Sequence, residues 1–168
     1  MGIEPSRAAE VDFSPPVVQF DYTYLVPAGS SLRSVADADR PGVRIAVVRN
    51  HASTLALSRI LKQAKLVYAE THEPTFDLLR TGHADAMASA RRGLLEHSTK
   101  LPGSRVLEDR YGVNLVGVAV PKGEGGRLAY IREFIEGAKA SGLVQRAIER
   151  FGGHDLEVAP PGNPNAKK

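Results

Sequence analysis

Between residues 43 and 99 the chain alternates short apolar runs with amphipathic segments, a spacing that suits helices laid over a mainly parallel sheet. VRIAVV (residues 43–48) is a nearly continuous apolar run, as a strand buried on both faces requires. A helix is predicted over 53–64, with Leu55, Leu57, Ile60 and Leu61 inward and Ser53 as its N-cap. A strand over 66–69 follows, then a helix over 74–81, with Pro74 near its start and Gly82 just past its end. A strand over 85–88 and a helix over 91–99 complete the alternation. On one side of this block lies VVQFDYTYLVP (17–27), a long β-branched and aromatic strand entered from an extended 11–13. On the other, 105–107 and NLVGVAV (114–120) read as strands. The fold class is α/β.

After Pro121-Lys122-Gly123 the period changes. Leu128, Ile131, Phe134, Ile135 and Ala138 follow helical spacing for about four turns. Leu143, Val144, Ala147, Ile148 and Phe151 form a second apolar face that ends at Gly152-Gly153. The α/β layer is already complete without these two helices, so their apolar faces and the segment through Phe13 need another surface to cover them. Residues 159–168 (APPGNPNAKK) have nothing to bury and are expected to be disordered.

Composition removes several function classes. Twenty-two Lys and Arg against nineteen Asp and Glu give a net charge of +3, and the basic residues are scattered, not clustered. With only 6% aromatic residues as well, nucleic acid is not an expected partner. Absence of cysteine excludes disulfides, thiolate catalysis and Cys-ligated zinc. The five histidines, His51, His72, His83, His97 and His154, show no metal-ligand spacing, and no metal or other cofactor is expected. His72, His83 and His97 read most simply as solvent-facing residues near element ends. No apolar run approaches the roughly 20 residues of a membrane span, and the first ten residues lack a signal-peptide pattern.

The stretch of most chemical interest is Arg49-Asn50-His51-Ala52-Ser53, between a buried strand and a helix. Free backbone N–H groups and the helix dipole at such a junction favour an anion, and open parallel sheets take ligands beyond the carboxyl ends of their strands. An N-capped helix with solvated polar neighbours would look the same. Ser89-Ala90-Arg91-Arg92, expected at the same sheet edge, either completes an anion-binding rim or is an ordinary helix start. Gly123-Glu124-Gly125-Gly126 is a connector.

The order of segments resembles a known family. PSRAAEVDFSPP (5–16) is similar to the signature of bacterial extracellular solute-binding proteins of the polar amino acid type, family 3. YLVPAGS (24–30), SVAD (34–37), GVRIAVVR (42–49), LLRTGHADA (78–86), VAVPKG (118–123) and the two C-terminal helices follow in the family's order. The resemblance runs from Pro5 to about Val158.

It implies a type II periplasmic binding protein-like fold: one complete lobe, with the hinge strands and C-terminal helices of the other. Residues 1–24 would end the first lobe and form the first hinge strand, 25–118 the second lobe, and 119–158 the second hinge exit and the returning helices. Most of the family's first lobe has no counterpart in these residues. The resemblance places Arg7 where the family's arginine clamps a ligand carboxylate, a task a planar guanidinium suits. Arg49, Asn50, His51 and Ser53 fall where the family binds carboxylate at a helix start, with Asn50 and Ala52 replacing glycines. Ala90, beside Ser89, stands where amino-acid binders place an aspartate for the ammonium group, which points away from an ordinary α-amino acid.

The expected function is therefore non-enzymatic: binding of a small polar or carboxylate-bearing solute, in the periplasm, for uptake through an ABC permease. A cyclohexadienyl or arogenate dehydratase-like enzyme and a ligand-sensing domain are the alternatives. The enzyme would need a general acid, and Glu70 and Glu73 are expected on the wrong side of the sheet. The uncovered faces Leu128/Ile131/Phe134/Ile135 and Leu143/Ala147/Ile148/Phe151 lead to the further expectation of a homodimer through the C-terminal helices.

Overall fold

A computed structural model of the chain describes residues 1–153 and 155–162; His154 and residues 163–168 of the expected tail lie outside the described residues. Among the described residues the strands are β1 (Val11–Phe13), β2 (Val18–Val26), β3 (Arg44–Val48), β4 (Lys65–Ala69), β5 (Ala86–Ala90), β6 (Arg105–Val106), β7 (Gly112–Val116), β8 (Ala119–Pro121) and β9 (Leu156–Val158). The helices are α1 (Ala52–Ser58), α2 (His72–Arg80), α3 (Arg91–Ser98), α4 (Gly125–Ala140) and α5 (Leu143–Arg150). Among the described residues no helix is long and apolar enough to cross a membrane.

The chain forms two compact units, one of residues 21–113 and one of residues 1–20 with 114–168. It passes between them twice, within β2 and within β7. In the 21–113 unit, β4, β3 and β5 are parallel neighbours, with Ile45 opposite both Leu66 and Ala86. β2 adds antiparallel to β5, with Tyr24 opposite Ala88, and β6 adds antiparallel to β2.

Period-two alternation explains the apolar runs. Tyr24, Val26, Ile45, Val47, Ala86 and Ala88 pack with Leu57 of α1 on one side, while Leu25, Ala46 and Met87 pack with Phe76, Leu79 and Leu94 of α2 and α3 on the other. A sheet covered on both faces has no polar side, and near-continuous runs result. Arg44 is the exception at the amino end: its guanidinium and backbone N–H all donate to Asp85, at 2.8–3.1 Å. The aspartate of the HADA segment is thus a clamp on β3.

In the other unit β1 and β8 pair antiparallel, Val11 opposite Pro121, and β9 pairs with the start of β2. The predicted 114–120 strand is divided: β7 ends at Val116 and β8 begins at Ala119. Ser14 causes the break, since its Oγ accepts from Val118 N–H at 3.0 Å and its own N–H donates to Val118 O at 2.9 Å. The order extends past residue 159, where Ala159 is buried and donates to Val17 O at 3.1 Å. Lys139 ties α4 to this region, its Nζ donating to Pro16 O, Pro160 O and Glu136 Oε1.

Candidate functional site

The carboxyl ends of β3, β4 and β5 lie side by side in the 21–113 unit, and the loops leaving them enclose a cavity of about 340 Å³. Its lining comes from three chain segments: His51 after β3, His72 and Glu73 after β4, and Ser89, Ala90, Gly93, Glu96, His97 and Lys100 from β5 onward. Two of the expected site residues, His51 and Ser89, therefore share one cavity.

The loop after β3 is built by a tight turn. Arg49 N–H donates to Ala69 O, prolonging the β3–β4 ladder, and His51 N–H donates back to Val48 O. Asn50 between them has φ 58°, the only left-handed non-glycine among the described residues. Asparagine tolerates that region better than most side chains, so it substitutes for glycine at this turn.

His51, not Ser53, caps α1. Its Nδ1 accepts from Ser53 N–H at 3.3 Å and lies 2.7 Å from Ser53 Oγ. With Nδ1 accepting, the imidazole proton sits on Nε2. Ser53 is pulled inside the helix, 1% exposed, and Thr54 Oγ1 donates to Val48 O. The anion cradle expected at this junction is filled by the chain's own imidazole. α1 is also shorter than predicted, ending at Ser58, because Asp39 takes the N–H groups of Lys62, Gln63 and Ala64 and fixes a turn there.

The remaining predicted residues go elsewhere. Arg49 turns to Glu70 at 2.8 Å and lies over the Tyr68 ring at 5.0 Å. Arg7 belongs to the other unit, in a one-turn 3-10 helix, where its Nη1 donates to Gly2 O at 3.2 Å. Arg91 is structural: it donates to the carbonyls of Leu107, Glu108 and Asp109 and pairs with Asp21.

Two histidines read as solvent-facing line the cavity: His72 is exposed as expected, and His97 is buried. His72 meets His51 edge to face at 5.2 Å, and His97 stacks on Phe76 at 4.6 Å. His97 is 8% exposed, its Nδ1 has no hydrogen-bond partner, and burial lowers its pKa. Glu73, expected on the wrong side of the sheet, lines the cavity too. Its carboxylate accepts from Lys100 Nζ at 2.9 Å and is held below the usual range by that bond. The i, i+3 spacing of Gly93, Glu96 and Lys100 with His97 was the sequence signal that this face of α3 looks at one place. Among the described residues no group of three or more His, Asp or Glu is placed to hold a metal ion.

No family model matches the chain. The glutamine-binding protein GlnH of an ABC transporter from Bacillus subtilis (strain 168) is 24% identical over 156 residues, which are 90% of this chain and 55% of that protein. The crystal structure of an ancestral amino acid-binding protein, a precursor of cyclohexadienyl dehydratase, superposes with TM-score 0.70 at 26% identity, over 89% of this chain and 65% of that one. The chain is thus similar to amino-acid solute-binding proteins of ABC transporters. A lysine-complexed binding component of an ABC transporter from Wolinella succinogenes DSM 1740 shares the fold, with TM-score 0.75 at 22% identity, over 89% of this chain and 66% of that one. The architecture is that of type II periplasmic binding proteins. The chain spans about half the length of its curated relative and just under two thirds of these two structures.

Proposed function

We propose that the chain binds a small polar or carboxylate-bearing solute, delivered in the periplasm to an ABC permease, and that the cavity of the 21–113 unit at the ends of β3, β4 and β5 takes the solute. The observation that carries this reading is the meeting of His51, Ser89 and Ala90 at that sheet edge, on a scaffold whose relatives are named as amino-acid binders. Arg7, in the other unit, is proposed separately as a carboxylate-binding residue. A binding role also suits Glu73 better than a dehydratase role does, because its pairing with Lys100 keeps the carboxyl ionised and not stored as a proton donor.

A thermal-melt screen of amino acids and small carboxylates against the full chain tests the reading. A ligand at a hundred times its Kd adds about 2.7 kcal/mol, a rise of roughly 5–10 °C in a chain of this size. The Gly93→Leu variant fills the cavity from a position with open space around it and should erase the shift. Absence of any shift across the panel would overturn the proposal. Self-association through α4 and α5 is part of the same proposal, argued below.

A further inference from the structure

Every carboxylate lining the cavity already has a cationic partner. Glu73 is bonded to Lys100, and Glu96 pairs with Arg92 at 3.6 Å. No unpaired negative charge remains among the described lining residues to hold an ammonium or guanidinium group. The groups that do face inward favour negative charge. α2 and α3 both start at the cavity, at His72 and just past Ala90, and neither has a side-chain cap on its first-turn N–H groups. Independently of these helix starts, His97 is buried against Phe76 with an Nδ1 that nothing in the protein satisfies, and an orphaned buried polar atom of that kind needs explaining.

The imidazoles divide the work. His51 has its acceptor nitrogen committed to capping α1, so protonating it would break the cap. His72 is exposed at the start of α2 and has no such commitment, and His97 has a vacant nitrogen. The charged and titratable groups facing His97 are Glu73, Lys100, His72 and Glu96; β5 adds only the uncharged Ser89. With both glutamates paired with cations, a bound anion is the charge that a proton on His97 would balance.

We infer that the cavity selects an acidic solute without a basic group, such as a dicarboxylate, and that binding takes up a proton on His97. This rests on the solute-binding reading above and narrows it to one chemical class. Because imidazole changes charge between about pH 5 and 8, affinity for the anion rises as the pH falls through that window.

Isothermal titration calorimetry on the full chain tests it, with 2-oxoglutarate, L-glutamine and L-arginine as probes at about pH 6 and pH 8. The 2-oxoglutarate carboxylates are ionised at both. The expected result is that 2-oxoglutarate binds about tenfold more tightly at the lower pH, with L-arginine not binding. Equal or tighter binding of L-arginine or L-glutamine, or a 2-oxoglutarate affinity indifferent to pH, would overturn the inference and leave the solute-binding proposal standing. Failure of all three probes to bind, together with an empty thermal-melt screen, would remove both.

Discussion

Asn50 carries a backbone conformation on which the whole carboxyl-edge loop depends, because the Arg49 and His51 hydrogen bonds on either side require the turn it makes. A β-branched residue in the left-handed region costs about 1–2 kcal/mol, so Asn50→Val should lower the denaturant midpoint by that much, with Asn50→Gly close to wild type. Equal stability of the two variants would show that the loop takes another path. Asp85 provides a second residue-level test. The Arg44 guanidinium holds its carboxyl below the usual range. A depressed folded-state pKa contributes stability above the unfolded value of about 3.9, and that contribution is lost as pH falls through the folded value. Both side chains are about two-fifths exposed, so the effect is small. Acid titration of unfolding should show a shallower fall for Asp85→Asn than for wild type. The sequence allowed the loop to be singled out, since strand ends followed by helix starts are visible as pattern. It could not show that His51 would displace Ser53 as the cap, because capping depends on which side chain the φ 58° turn aims at the helix.

At the scale of elements, the strands and helices of the 21–113 unit were legible because a sheet buried on both faces writes itself as apolar runs and its covering helices as a 3.6-residue period. What escaped were features decided by contacts between distant residues. The 114–120 run is apolar throughout, yet Ser14, a hundred positions away, takes the Val118 backbone and ends the strand at Val116. Asp39 does the same to the end of α1. Gly117 sits in this break, where an added Cβ would meet Ile3 Cδ1 at 3.0 Å, Ser14 Oγ at 3.2 Å and the Ser14 carbonyl at 3.3 Å. The last two can yield little. Gly117→Ala should therefore destabilise by about 1–3 kcal/mol, the usual cost of overpacking. Urea unfolding would read this directly, and a neutral result would mean that the Ser14 contact is looser than its geometry indicates.

At the scale of the whole molecule, the unresolved matter is the outer face of the C-terminal helices. The predicted apolar stripes are divided in two: Ile135 and Ile148 are buried, whereas Phe134, Leu143 and Phe151 stand 62%, 49% and 84% exposed, and Tyr130, outside the predicted stripes, is 72% exposed. Tyr130, Phe134 and Leu143 line a groove of about 450 Å³ on α4 and the start of α5. Burying a large apolar side chain contributes about 1.5–3 kcal/mol. A two-fold contact using the four from each copy would thus gather about 12–24 kcal/mol. Association costs about 4–15 kcal/mol in lost freedom, so the balance favours a weak dimer with a dissociation constant near the micromolar range. Sedimentation equilibrium should find the 18.1 kDa chain moving toward twice that mass between about 1 and 100 μM. Phe134→Glu, which alters an exposed side chain and no buried one, should hold it monomeric with unchanged thermal stability. A wild-type chain that stays monomeric at about 100 μM would show that this face takes no second copy.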